Sequence, residues 1–583
     1  MSTIALLALL AMAMPATAAA RNGRSTATTA TDPEAPIPVE ASSSPPVGRF
    51  LSADRALEIA GRLPKMQAVR AQYRGSYAGA YLKGSNRWQV SYFSRQGKEI
   101  GQVIIADRSG RVLEQWTGFQ IAWSMARGYP GAFGRHVNSL YVWIPLSVLF
   151  FLPFFDWRSP FRLLHLDLLA LLSFSISLAF FNHGRIGIST PLAYPPLLYL
   201  LARMLAAAGV RLRRRPGQAG AATGGERPIR LLVPTPWLAI GLLFLVGFRV
   251  GLNVVDSNVI DVGYAGVIGA QRIVQGKSLY GGYPSDNEHG DTYGPASYEA
   301  YVPFEQGFGF SGHWDDLPAA HAAAIFFDLL ATALMFLLGR RVRGPSLGIA
   351  LAYAWAAFPF TLFALESNTN DTLVAVLVLA ALLVASSPPA RGIFAALAGL
   401  AKFAPLALAP LLCTHGLQGL GAARRARAVL LFCVAFALTA AVVSIPALTH
   451  DSWHTIYERT LVYQSHRESP FSIWGLYGTS PTGGAYAHWL APVQVAVELA
   501  AVVLALALAL LPRRGDLVGL AAAAGAILIA AQLGIDHWFY LYIPWFFGPA
   551  MLALLARFSW APQPRAGWAE PSGSARSSQL AAA

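Results

Sequence analysis

The sequence predicts a polytopic α-helical membrane protein of about 11 spans plus a re-entrant hairpin, with a small extracytoplasmic α+β domain in front. Three observations lead there. Hydrophobic residues make up 55% of the 583 and charged residues 13%, about half the charged share of a soluble domain, and mean hydropathy is +0.45. Apolar runs recur at about the 20 residues a bilayer requires. Arginines gather in the short loops of one side. This composition excludes a soluble globular enzyme, a disordered chain and a secreted disulfide scaffold. Cys413 and Cys433, both in apolar context, give no disulfide framework and no metal cluster. The net charge of +14 reads as cytoplasmic arginine, not as a nucleic-acid surface.

The front of the chain divides by composition. Residues 4–14, IALLALLAMAM, are too short to span and are followed by small residues, so 1–20 reads as a signal peptide, although no basic residue precedes the run. Residues 21–49 are rich in Ser, Thr, Ala and Pro and read as a disordered linker. In 50–120, Ser52 caps a helix that places Ala56, Ile59, Ala60 and Leu63 on one face. Strand-like runs follow at 77–82, 88–93 and 101–106, then a turn at Asp107–Gly110 and a last run at 111–116. One helix followed by a meander, with WQVSYF and VIIADRSGRVLEQW, resembles a PepSY domain. The resemblance implies an extracytoplasmic accessory or regulatory module without catalytic residues. A plain packing domain fits the same pattern.

Spans are expected near 138–155, 163–181, 190–208, 236–254, 319–339, 345–365, 371–387, 428–447, 489–511, 516–534 and 538–556. They group into a three-helix segment (136–208), a basic cytoplasmic linker (209–235) and a core (236–557), followed by a disordered cytoplasmic tail (558–583). The apolar stretch 392–412 is interrupted by Lys402, Pro405 and Pro410. A full crossing there would put Arg424, Arg425 and Arg427 outside. A re-entrant hairpin keeps them on the inner side with Arg158, Arg162, Arg340, Arg341 and Arg343, and irregular backbone is tolerated at depth when protein surrounds it.

Two long outer loops, 255–318 and 448–488, hold most of the polar groups. A transporter or lipid flippase would instead carry them within spans or at broken midplane helices. The loop pattern suits an enzyme at the outer membrane surface. A non-catalytic membrane partner regulated through the front domain is a further alternative. The first loop opens with VVDSNVIDVGYAG, where Asp256 and Asp261 stand at the interface. VIGAQRIVQGKSLYG then reads as a helix lying in that interface, and DTYGPASYEAYVPFE follows.

The ordered set Asp261, Tyr264, Ala265, Gly276, Leu279, Tyr280, Tyr293, Gly294, Pro295, Pro303 and Phe304 resembles the GT-C fold glycosyltransferases. It is most similar to family 87, the polyprenol-phosphate-mannose-dependent mannosyltransferases. Asn368, Asn370 and Asp371 in ESNTNDTL, Lys402 and Pro405 in AKFAP, and His537, Tyr540 and Tyr542 in HWFYLYIPWF agree with that resemblance, which covers roughly 236–556. The front helices and the PepSY-like domain lie outside that family's core. The resemblance implies an inverting transfer of mannose, or another polyprenyl-phosphate-linked sugar, to an envelope glycan or glycolipid on the outer face of the cell membrane. No cofactor or metal is expected. Membrane lipids, the lipid-linked donor and the acceptor are the expected partners, with no nucleic acid.

A carboxylate must take the acceptor hydroxyl's proton. Asp261 is the first candidate and Asp256 the second; either can also simply end a helix. The leaving phosphate needs positive charge or donors. Arg467, His537, Arg459 and His466 are the outer-loop candidates. Lys402 can snorkel toward a phosphate, although this topology approaches it from the inner side. Tyr264, Tyr280, Tyr293, Asn368, Asn370 and Asp371 are expected around the substrate, and Asn370 with Asp371 can equally form a helix cap. Asp328 and Glu498 lie mid-span, where acids are functional candidates, and Asp328 can instead hold a bundle contact.

Overall fold

A computed structural model describes residues 36–128, 134–209, 231–314, 316–467, 469–478, 487–511, 514–558 and 560. The expected signal peptide and nearly all of the basic linker and tail lie outside the described residues. The chain forms two compact units, one ending at Ile121 and the other beginning at Ala122.

The first unit is built on a five-stranded antiparallel meander in the order β1 to β5: β1 (Ile37–Val39), β2 (Tyr77–Lys83), β3 (Arg87–Phe93), β4 (Glu99–Ala106) and β5 (Val112–Thr117). Helices α1 (Ala53–Gly61) and α2 (Pro64–Gln72) bury Ala56, Ala60, Met66 and Val69 with Trp88, Val90, Val103 and Ile105 of the sheet. The Ser52 hydroxyl accepts from the Arg55 amide and caps α1, as expected. Two expectations change. Ile37–Val39 is not disordered linker: it pairs with Leu82, Tyr81 and Ala80, and as an edge strand it tolerates the missing N–H of Pro38. A second helix follows the first, started by Pro64 at its first position; its mixed polar sequence hides the apolar face.

The turn after β4 places Asp107 under the sheet. Its carboxylate accepts from the Trp88 indole at 2.9 Å, the Leu51 amide at 3.0 Å and the Phe50 amide at 3.0 Å. Burial acts to raise its pKa, but these donors win and hold it below the ordinary carboxylate value.

The second unit is a helical bundle. Its elements are α3 (Leu140–Phe151), α4 (Leu163–Asn182), α5 (Ile186–Leu192), α6 (Tyr194–Ala208), α7 (Thr235–Asp256), α8 (Asp261–Val274) and α9 (Pro295–Glu299). These are followed by α10 (Pro318–Arg343), α11 (Pro345–Ala357), α12 (Pro359–Glu366), α13 (Asp371–Leu383), α14 (Pro388–Ala401), α15 (Ala409–Thr414), α16 (Ala422–Val443), α17 (Ala487–Leu510), α18 (Leu517–Gly534) and α19 (Ile543–Leu555). Among the described residues seven helical segments are long and apolar enough to cross a membrane, or eight if α11 and α12, bent by 57°, form one span. The expected segments 138–155, 371–387 and 538–556 are present only as shorter apolar helices. Helix α13, with 13 residues, is about 20 Å long, short of the roughly 30 Å hydrocarbon layer.

The hairpin at 392–412 is present: α14 rises to Lys402, and α15 returns. Arg391, at the base of α14, donates to the carbonyls of Leu412 at 2.7 Å and His415 at 2.9 Å, so both arms end at the same level. Mid-bundle, Asp328 is a structural anchor and not a site residue. Arg249 grips it through two bonds of 2.5 and 2.9 Å, and the Trp355 indole adds a third at 2.9 Å. Both charges are buried, and pairing with hydrogen bonds is what permits that. Glu498 lies midway along α17 beside Gln494 and Asp536 and is exposed.

Asp107→Asn in the full chain is expected to cost the first unit about 2–4 kcal/mol. Faster amide exchange across β3 and β4, with exchange in α10 unchanged, is the readout. Because the folded pKa is depressed, the stabilisation is complete above the unfolded value and is lost as pH falls through the folded one. The wild type should therefore lose protection in acid more steeply than the variant.

Candidate active site

The first loop is seated by close backbone contact. Extended residues 258–260 run beside the turn after α12, with Asn258 N donating to Glu366 O and Ile260 N to Ser367 O, both at 3.2 Å. Asn368 holds a left-handed conformation (φ 46°). Its side chain donates to Asn258 O at 3.0 Å and Ser257 Oγ at 2.9 Å, and accepts from Asn253 at 2.9 Å. Gly263 then lies against this turn so closely that a Cβ would stand 2.1 Å from Asn368 O. These contacts fix the start of α8, whose first residue is Asp261.

Asp261 opens onto a cavity of about 840 Å³. The same cavity takes Tyr293, Asp371, Lys402, Arg467 and His537 into its lining, bringing together six of the residues singled out from sequence. No side chain among the described residues pairs with the Asp261 carboxylate. It is open to the cavity yet enclosed by the walls, and that enclosure pushes its pKa above the ordinary carboxylate value against the opposing charge of Arg467. Lys402, at the hairpin tip, is bonded to Asp371 at 2.5 Å and lies 5.1–5.4 Å from the ring centres of Tyr293, Tyr542 and Trp545. The hairpin thus delivers Lys402 into the cavity that holds Asp261, which corrects the expectation of approach from the inner side. Asp371 also accepts from Trp545 at 3.1 Å and Thr369 at 2.6 Å. Lys402 and Asp371 neutralise each other.

Arg467 differs. Its guanidinium lies 5.0 Å from the Trp123 ring centre, and its buried Nε has no hydrogen-bond partner. Trp123 also stacks on His537 at 5.4 Å. The His537 Nδ1 meets Ser469 Oγ at 2.9 Å, and burial with the charges of Arg467 and Lys402 holds the ring well below its ordinary pKa. His537 is therefore a neutral polar group near pH 7. Among the described residues, the cavity presents Asp261, a carboxylate that no side chain pairs, and Arg467, a guanidinium whose buried Nε is unused.

Residues 292–534 match the model of glycosyltransferase family 87. The matched span carries Tyr293, Asp371, Lys402 and Arg467. Asp261 precedes it and His537 follows it, and both face the same cavity. No curated protein matches the chain, and no solved structure matches it.

Other expected site residues stand elsewhere. Asp256 pairs with the His136 imidazole and accepts from the His136 amide at 3.2 Å, away from the cavity. Arg459 binds Asp291 at 2.7 Å and the Glu288 carbonyl, tying the second loop to the first. Tyr280 donates to Tyr293 O at 2.9 Å and Tyr264 to Asp286 at 3.3 Å; both rings are buried and hold the loop together. Asn368 is consumed by the seating described above, and Asn370 donates to Ser297 at 3.1 Å. Asn370 does stand at the N-terminus of α13, but its side chain makes no cap bond. His466 closes a short helix, and its side chain lies outside the described residues.

Among the cavity residues that escaped the sequence reading are Trp123, Asp286 and Tyr463. Trp123 lies in a stretch assigned neither to the front domain nor to a span. Asp286 lies in a turn-like PSDNEHG run. Tyr463 opens the YQSHRESPFSIWGLYG stretch around Arg467 and stacks on His289 at 4.4 Å. The aromatic content of both stretches was the available signal.

Gly263→Ala should displace α8 from the 366–370 turn and cost about 1–3 kcal/mol, seen as earlier chemical unfolding of the second unit. Gly247→Ala, with open space around its Cβ, is the matched control and should cost nothing by that route.

Proposed function

We propose that the chain is a membrane glycosyltransferase that moves a sugar from a polyprenyl-phosphate donor to an envelope glycan or glycolipid at the outer face of the cell membrane. The observation that carries the reading is the coincidence of the family match with a cavity presenting Asp261 and Arg467. Mannose is the sugar that the family resemblance favours. The PepSY-like front domain, on this reading, is an extracytoplasmic accessory module.

The chemistry follows from the two groups. The acceptor hydroxyl gives its proton to Asp261, and its oxygen forms a bond to the anomeric carbon. The bond from that carbon to the phosphate oxygen breaks, and the electron pair leaves with the polyprenyl phosphate. Attack from the side opposite the phosphate inverts the anomeric centre. A base works best when its pKa lies near the working pH, so the upward displacement of Asp261 by its enclosing walls serves the reaction. Arg467 is placed to stabilise the departing phosphate, whose charge grows as the bond breaks. The neutral His537 offers a hydrogen bond without adding charge. Lys402, already paired to Asp371, shapes the cavity floor. Asp286 is a rival carboxylate, but it accepts from the Tyr264 hydroxyl, whereas no side chain among the described residues pairs with Asp261.

Three results test this with reconstituted protein and a labelled polyprenyl-phosphate sugar. Asp261→Asn should lower kcat by about 10²–10⁴-fold, whereas Asp286→Asn should retain activity. Arg467→Ala should reduce kcat/KM by about 10²-fold or more. The wild-type rate should fall as pH drops through the raised Asp261 pKa, because the protonated acid cannot accept a proton, and the residual rate of Asp261→Asn should lack that acid limb. Full transfer by Asp261→Asn would end the assignment. Absence of transfer from any polyprenyl-phosphate sugar would end the enzyme reading.

A further inference from the structure

A second polar pocket lies at the other end of the bundle. Helix α4 has 20 residues and is about 30 Å long. Its Asn182 end meets Asn138 near Asp256, on the side of the cavity. Its Leu163 end borders a pocket of about 560 Å³ together with Arg158, Arg162, Arg203 and Arg557. The basic loops gather at this end. Arg343 donates to Ala556 O at 3.3 Å, Arg341 to Ser386 Oγ at 3.3 Å, and Arg391 to the base of the hairpin at His415.

The charges of the pocket are unequally satisfied. Arg203 is neutralised by Asp167 through bonds of 2.6 and 2.9 Å. Arg162 meets Asp156 at 3.3 Å through Nη2, while its Nη1 is buried without a hydrogen-bond partner. The Arg158 side chain makes no bond among the described residues, and Arg557 adds a further positive charge. Helix α4 begins without a side-chain cap, so its first-turn amides add positive potential at the same place. Asp167 thus takes Arg203 and Asp156 takes one arm of Arg162, which leaves the Arg158 side chain and the buried Arg162 Nη1 without a bond among the described residues. The rim is apolar and exposed: Phe161 is 99% exposed and Leu163 57%. Trp157, next in sequence to Arg158 and 66% exposed, is of the type that sits at the level of lipid headgroups.

We propose that this pocket binds the phosphate headgroup of an anionic phospholipid, with the acyl chains lying against Phe161 and Leu163. Basic pockets between helices on the arginine-rich side of a membrane protein suit acidic headgroups. The apolar rim favours a lipid phosphate over a free one, because a free phosphate leaves those side chains without a partner. The site is separate from the sugar-transfer cavity and does not depend on that reading.

The test uses the purified full chain in detergent, offered equal amounts of phosphatidylglycerol and phosphatidylcholine and observed by native mass spectrometry. Phosphatidylglycerol should be retained in preference. Arg158→Gln should weaken retention about fivefold, and Arg158→Gln with Arg557→Gln further. Arg424→Gln with Arg425→Gln, exposed arginines elsewhere on the basic side, should leave it unchanged. A photoreactive phosphatidylglycerol should label 157–164 in the wild type, a readout independent of how the variants fold. Equal retention of the two lipids, equal loss in the two double variants, or labelling elsewhere would overturn the proposal. Displacement of the lipid by millimolar inorganic phosphate would overturn it in favour of a soluble phosphate.

Discussion

The candidate site depends on one contact, the seating of the start of α8 on the turn after α12. Two backbone hydrogen bonds, three bonds from Asn368 and the missing Cβ of Gly263 hold these segments at a distance no larger residue allows. Every other cavity group is placed relative to that contact. Asp371 starts the helix just beyond the turn, and Lys402 is drawn to Asp371 from the hairpin tip. Arg459 and Asp451 then fasten the second loop to the first: Asp451 accepts from the Leu279 amide at 2.8 Å and the Tyr280 amide at 3.2 Å. The loop is long, but carboxylates and arginines that bind its backbone order it.

This explains which parts were legible in the sequence. The β-meander was readable because its strands alternate and its turns are rich in Gly and Asp; the edge strand at Ile37 was hidden by the low-complexity stretch around it. The membrane helices were readable from hydropathy, but their lengths were not. Length as judged by composition takes in apolar residues beyond the helix proper, so α13 was read to 387 although it ends at Leu383. The chain reversal at 392–412 was legible because Lys402, Pro405 and Pro410 break the apolar run.

The site was legible by residue type and not by partner. Asp261, Arg467 and His537, singled out by residue type and loop, line one cavity. Asp256 and Arg459 looked equivalent in sequence but are spoken for by His136 and Asp291. A sequence shows that a carboxylate sits in an outer loop; it does not show that an imidazole 120 residues away will take it. The same applies to Asp328, whose partner Arg249 lies on a different helix, and to Trp123, whose role exists only because Arg467 and His537 arrive on either side of it.

The front three helices gain a meaning from one hydroxyl. Tyr540 sits in the aromatic stretch that lines the cavity from His537 to Tyr542, and its oxygen lies 2.7 Å from Ser177 Oγ and 2.8 Å from Ser189 Oγ. Both serines belong to the front helices, outside the span that matches the family. One cavity wall is therefore bolted from behind by a part of the chain that the family comparison leaves out. Cutting the protein back to its matched span would remove the bolt, the wall it holds and Asp261, while leaving Arg467 and Lys402 in the sequence. The modular boundary drawn by similarity and the mechanical boundary drawn by packing fall in different places.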